Sequence, residues 1–247
     1  MRQLLFWSCL PFVLPQALRL RRNAPRFSAP SCVRSGLVAG DRPVRLLGIG
    51  DSVIEGVGAT TLDRALVGQT AKVLADALDA GVDWECVGSI GATSGRIIEK
   101  LLPRLPHAPA DFIVVSAGVN DITSLNALAT WRRSLSALLS ALSQHSPNAV
   151  VGLVGIPPLQ EFPSLPQPLR AVLGMRGRSF DRVAKQVVAP YPNVVHASLE
   201  YQTTRATFAA DGFHPSEEAY AELAQTLASA LLERFGGNAM AGKVRTQ

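Results

Sequence analysis

VRLLGIGDSVIEGVG, residues 44–58, joins an apolar, β-prone run to a polar exit through Gly50-Asp51-Ser52. Short polar side chains satisfy loose backbone groups at turns and helix starts, so Ser52 could be an ordinary turn residue. It could also be a nucleophile. The chain must then supply a base, a group to orient that base, and donors for a developing oxyanion.

Outward from this stretch, short β-like runs alternate with amphipathic helical stretches, the pattern of a parallel sheet covered on both faces. The further β candidates are 82–88 (VDWECVG), 111–118 (DFIVVSAG), 149–156 (AVVGLVGI) and 193–197 (NVVHA). A helix is expected between the first two strands, from a Thr-x-x-Asp start near Thr60 to Gly81, with Leu66, Val73, Ala77 and Leu78 on one side. Leu128, Leu135, Leu138 and Leu142 form a second stripe. The last helix has Ser216 as N-cap and Glu217 and Glu218 in its first turn, and is expected to stop at Gly236-Gly237. Residues 156–170 carry five prolines and read as a stiff irregular loop. The expected organisation is an apolar N-terminal segment (1–22), a linker (23–43), one α/β domain (44–236) and a tail (237–247).

Composition narrows the partners. With 247 residues, 47% hydrophobic and 17% charged, the chain can bury a full core. The net charge of +5 is local: residues 1–45 hold eight arginines against Asp41, which leaves 16 basic and 18 acidic residues beyond them. The body is not a basic surface, so no nucleic-acid partner is expected. Cys9, Cys32 and Cys86 form neither a CxxC pair nor an even framework, and Cys86 reads as a buried small side chain.

Gln3 to Leu18 is apolar and uncharged but contains Pro11 and Pro15, and arginines follow at 19, 21, 22 and 26. It is short for a spanning helix and has no small-x-small cleavage pair. A membrane-surface anchor, with Phe6, Trp7, Phe12 and Leu14 in the interface, is preferred to a cleaved signal that would make the protein periplasmic or secreted.

In open α/β sheets ligands bind beyond the C-terminal strand ends where the strand order reverses; in the order 2-1-3-4-5 this lies between strands one and three. Gly50-Asp51-Ser52 ends strand one, Gly118-Val119-Asn120-Asp121 ends strand three, and GSIGATSG ends strand two nearby. Four histidines could serve as the base. His107 lies in a Pro-flanked connection, His145 near a helix C-terminus and His196 at the end of a strand, whereas His214 follows Asp211 by three residues. That spacing lets the aspartate fold back onto the imidazole, leaving the other ring nitrogen for Ser52. Oxyanion donors could come from Asn120, from Gly91 and from the Ser52 amide.

GDSV, the glycine before GATS, GVND and DGFHP together resemble the four blocks of the SGNH hydrolases, also called GDSL lipases or esterases, in order from about Arg45 to Phe235. The resemblance implies a flavodoxin-like three-layer α/β/α sandwich with a five-stranded parallel sheet. It implies Ser52 as nucleophile, Gly91 and Asn120 completing the oxyanion hole with Ser52, and His214 with Asp211 finishing the triad. Val53 stands where the name-giving motif has leucine. Gly88 is the alternative to Gly91, which is preferred because GATS follows it. Asp51 and Asp121 are expected to fasten their loops.

No cofactor is expected: GIGDSV lacks the third glycine of a dinucleotide site, and no Gly-Lys-Ser/Thr follows. No metal is expected, since Asp211 and His214 lack a third clustered ligand. The expectation is a small-molecule ester hydrolase. Leu159, Phe162 and Leu165 of the Pro-rich loop are expected to line an apolar acyl site, favouring a lipid-like, lysophospholipid or simple acyl ester. The alternatives are an O-acyltransferase using the same residues and, less favoured because all five positions are filled, a non-catalytic binding module.

Overall fold

The computed structural model describes residues 2–23, 29–30, 33–198 and 204–244. Parts of the linker (24–28 and 31–32), Cys32 and the last three positions of the tail lie outside the described residues.

Among the described residues six strands form one sheet: β1 (Ser35–Val38), β2 (Pro43–Gly50), β3 (Gly81–Gly88), β4 (Phe112–Ser116), β5 (Val150–Val154) and β6 (Val194–Ala197). Their spatial order is β1-β3-β2-β4-β5-β6. β2 to β6 are parallel and keep the expected 2-1-3-4-5 order, with β2 as strand one. The addition is β1, which pairs antiparallel with β3 from Ser35 opposite Glu85 to Val38 opposite Val82. The linker is thus partly an edge strand. Four residues of mixed exposure carry too little alternation to announce themselves.

The helices are α1 (Arg2–Asn23), α2 (Leu66–Leu78), the short α3 (Ser94–Arg96) and α4 (Val119–Thr123), then α5 (Leu128–His145), α6 (Leu169–Val188) and α7 (Glu217–Val244). One face of the sheet buries Leu47, Ile49, Val115 and Leu153 against Trp131, Leu135 and Leu139 of α5 and Phe180 of α6. The other buries Leu46, Val82, Trp84 and Val114 against Leu66 and Leu74 of α2 and Tyr220, Leu227 and Leu231 of α7. Successive strand residues point to opposite faces, so near-continuous apolar strands mark a sheet covered on both sides.

Several boundaries differ from the sequence reading. α2 starts at Leu66 because Thr60 is engaged elsewhere: its amide and hydroxyl donate to Glu217 at 2.9 and 2.6 Å. Its fully buried side is Leu66, Val67, Ala71 and Leu74, with Val73 and Leu78 at the margin. Ser216 caps α7, accepting from the Ala219 amide at 3.2 Å. α7 does not stop at Gly236-Gly237 but continues to Val244, since neither glycine takes the left-handed conformation that ends a helix. A helical glycine costs only about 1 kcal/mol relative to alanine.

α1 runs through Pro11 and Pro15 and packs on α6. Phe6 and Val13 are buried in the core, so Phe6 is not available to an interface as expected, whereas Trp7, Phe12, Leu14 and Leu18 are exposed. Among the described residues no helix is long and apolar enough to cross a membrane.

Candidate active site

β2 must leave the sheet beside β4, and Gly50 permits it: a Cβ there would lie 2.1 Å from the Ser116 carbonyl oxygen. The chain then turns helically, Glu55 N–H donating to Asp51 O at 3.2 Å and Val57 N–H to Ser52 O at 3.0 Å. This presents the Ser52 side chain at the C-terminal end of the sheet, where it is 8% exposed.

His214 arrives from the segment before α7. The Ala209 amide donates to His214 O at 2.9 Å, and Phe208 forms a bridge to Pro215. His214 Nε2 lies 2.9 Å from Ser52 Oγ, and Nδ1 lies 2.5 Å from Asp211 Oδ2. The other Asp211 oxygen accepts the Phe213 and His214 amides, both at 2.9 Å. Burial alone would raise the Asp211 carboxyl, but the bond from His214 and the two amides outweigh it and hold it below the usual carboxylate range. An acceptor that stays ionised fixes the ring and leaves Nε2 to deal with the hydroxyl.

Asn120 stands at the start of α4. Its Nδ2 donates to Ala92 O at 3.1 Å and approaches Asp51 Oδ2 at 3.4 Å. Gly91 holds φ +75, a left-handed value that favours glycine, and a Cβ there would meet nothing within 4 Å. Gly91 lines the cavity beside Ser52, Asn120 and His214. Gly88 instead packs against Glu55, whose Oε1 would lie 2.8 Å from an added Cβ. Asp121 fastens loops: buried, it accepts the Ser94 amide and hydroxyl at 2.8 and 2.7 Å and the Asn126 amide at 2.9 Å.

Ser52, Gly91, Asn120 and His214 border a cavity of about 190 Å³ whose walls are mostly apolar, including Val119, Val154, Phe162, Phe208 and Phe213. Phe162 meets Phe208 and Phe213 edge-on, each at 5.1 Å between ring centroids. Of the three loop residues expected there, only Phe162 lines it. Leu159 and Leu165 turn inward and are 1% and 2% exposed, because the loop must cover the end of the core as well as the cavity. Sequence reasoning missed Phe208, Phe213 and Val154. Phe213 lies inside DGFHP and could have been found there; nothing local marks the other two.

The other histidines are placed elsewhere. His196 pairs with Asp181 at 2.8 Å, His145 bonds the Pro106 carbonyl at 2.7 Å, and His107 is exposed. Among the described residues no group of three His, Cys, Asp or Glu could hold a metal ion.

The model of the GDSL-like Lipase/Acylhydrolase family matches residues 49–222. A GDSL-like esterase of Mycobacterium tuberculosis is 29% identical over 195 residues, covering 76% of this chain and 62% of that protein. The chain therefore spans less than two thirds of that relative's length. Among solved structures, a lipase from a goat rumen metagenome matches with a TM-score of 0.62 and 18% identity, covering 76% of this chain and 97% of the other. A family 3 carbohydrate esterase of Clostridium thermocellum matches with a TM-score of 0.63 and 19% identity, covering 79% and 98%. At such identities these two speak for the fold.

Proposed function

The chain belongs to the GDSL-like lipase/acylhydrolase family, and on that premise we propose that it cleaves carboxylic esters carrying an apolar acyl group. Ser52 is the nucleophile, His214 the base and Asp211 the group that orients it. The observation that carries this reading is the unbroken hydrogen-bonded series Asp211–His214–Ser52 opening into an apolar cavity.

Ser52 Oγ attacks the ester carbonyl while His214 Nε2 takes its proton. The carbonyl oxygen gains the charge and is met by the amides of Ser52 and Gly91 and by Asn120 Nδ2. His214 returns the proton to the departing alcohol, leaving an acyl-enzyme. Water, deprotonated by His214, then releases the acid and regenerates Ser52. The apolar walls favour an aliphatic acyl part, as in a simple ester or a lysophospholipid, over a sugar acetate.

A fluorophosphonate probe with peptide mapping tests the nucleophile: the label is expected on the peptide holding Ser52 and absent from Ser52→Ala. Labelling elsewhere that persists in Ser52→Ala would overturn the assignment. A series of p-nitrophenyl esters from acetyl to palmitoyl, with and without an added alcohol, reads acyl length and separates hydrolysis from acyl transfer.

The catalytic unit proposed is 44–236, with α1 as an appendage that lies on a membrane surface. The support is its exposed side, where Trp7, Phe12, Leu14 and Leu18 accompany the exposed Arg19 and Arg22. Apolar insertion and attraction to anionic headgroups would act together.

A further inference from the structure

The chain leaving β5 separates the catalytic cavity from a second depression. Gly155 and Pro157 line the cavity that holds Ser52, whereas Ile156, Pro157 and Pro158 form one wall of a groove of about 360 Å³. The opposite wall is a single face of α6, where Gly174, Arg178, Asp181, Arg182 and Lys185 recur at helical spacing. Three cations thus stand against one acid. The rest of the domain has the opposite balance: α6 holds five of the 16 basic and one of the 18 acidic residues beyond position 45, which leaves 11 basic and 17 acidic residues elsewhere.

The acid of the groove is already committed. Asp181 Oδ1 accepts the Ile156 amide at 3.1 Å and lies 2.8 Å from His196 Nε2, and its Oδ2 pairs with Lys185 at 3.1 Å. Neither arginine has a carboxylate. Arg178 Nη1 donates to Gln160 Oε1 at 3.1 Å, a neutral acceptor that holds the guanidinium without cancelling its charge. Gly174 makes room for that acceptor, since a Cβ there would lie 2.6 Å from the same Gln160 oxygen. Arg182 is exposed on the groove wall and has no hydrogen bond or ion pair among the described residues.

We propose that this groove is an anion subsite that receives a phosphate carried on the alcohol part of the ester, so that the substrate is a phosphorylated acyl ester. This rests on the esterase reading of the site. The acyl chain occupies the apolar cavity, and the alcohol part extends from the same carbonyl across Pro157, the one residue common to both linings. Arg178 and Arg182 are one helical turn apart, so two planar guanidinium groups can share one phosphate, each offering paired N–H donors. Asp181 repels the phosphate only in part, because Lys185 already faces it. The groove is open to solvent, so each contact contributes about 10-fold and is screened by salt.

The test compares kcat/KM for 1-lauroylglycerol 3-phosphate and 1-lauroylglycerol, which share one acyl chain, both below their micelle-forming concentrations. Wild type is expected to prefer the phosphate ester by about 10-fold to 100-fold, and the preference should shrink as salt is raised. Replacing both arginines, Arg178→Gln with Arg182→Gln, should abolish the preference. Arg182→Lys should keep part of it, since an ammonium carries the charge without the planar fork. A ratio of the two esters does not change with the fraction of folded protein, so it reads the groove and not stability. Equal kcat/KM for the two esters in wild type, a preference that the double variant retains, or a preference seen only once the substrates form micelles overturns the inference. Fluorophosphonate labelling is run alongside. Ser52 labelled with no preference between the esters overturns the groove alone, whereas Ser52 unlabelled with neither ester hydrolysed overturns the groove and the esterase reading together.

Discussion

Ser52 and His214 are 162 positions apart in the chain, yet Ser52 Oγ and His214 Nε2 lie 2.9 Å apart. The contact depends on two anchors. Gly50 lets β2 end against β4, and Tyr220 of α7 donates to Val57 O at 2.7 Å, tying the serine turn to the helix that follows the histidine.

His214→Ala should lower kcat by about 10⁴-fold or more while the fold is kept, since the base is removed from the edge of the core. His196→Ala should keep its turnover and lose stability, because Asp181 loses the bond from its buried imidazole partner. Steady-state kinetics beside thermal melts separate the two variants, and the reverse pattern would mean the base is misassigned.

Asn120→Ala should lower kcat by about 100-fold to 1,000-fold with little change in KM, as its amide meets a charge that is complete only in the transition state. Equal losses in both constants would point to ordinary substrate binding. Gly91→Ala is expected to act through its φ of +75 and through a methyl entering open space, not through a clash with neighbouring protein atoms.

Phe162→Leu should move the preferred acyl chain to greater length, since Phe162 lines the cavity and also belongs to the core cluster that holds Leu159 and Leu165. The ratio of kcat/KM for octanoyl over acetyl p-nitrophenyl ester should rise. An unchanged ratio would place the acyl group elsewhere.

Asp181 should contribute to acid sensitivity. Burial would raise its carboxyl, but the bond from His196, the Ile156 amide and Lys185 carry it from 3.8 to about 2. A depressed carboxylate stabilises the fold above its unfolded value and loses that contribution as the pH falls through the folded value. About 2 kcal/mol at most should therefore disappear between pH 4 and pH 2. Denaturant midpoints of wild type and Asp181→Asn should converge over that interval.

Deleting residues 1–22 should leave turnover of water-soluble esters intact, because the proposed catalytic groups begin at Ser52. It should reduce binding to anionic vesicles if α1 is the membrane contact. The melting temperature should fall: losing the burial of Phe6 and Val13 costs about 3 to 6 kcal/mol. Part of this is offset because the Arg176 guanidinium, held 4.2 Å over the Phe6 ring and depressed to about 10 by burial, regains water. Flotation with vesicles and a thermal melt read the two effects separately.

The alternation of apolar strands with amphipathic helices was legible from the chain because side-chain period is a local property. The 2-1-3-4-5 order followed from that pattern and from the resemblance, and it brought Ser52, Gly91 and Asn120 to one end of the sheet. Asp211 and His214 were legible for the same reason: three residues suffice for the carboxylate to reach the imidazole.

Tertiary structure alone decided what depends on contacts between distant segments. Leu159, Phe162 and Leu165 are equally apolar in the sequence, and the hydrophobic effect has no direction. Which of them faces a cavity and which fills the core is set by the elements that close over the loop. Ser35–Val38 became a strand because β3 left an edge unpaired, and Phe6 became a core residue because α6 offered a matching surface. The meeting of Asp51 Oδ2 with Asn120 Nδ2 joins loops 69 positions apart. Hydrogen bonding is decided over tenths of an ångström, by the register of β2 against β4, and no local pattern encodes that.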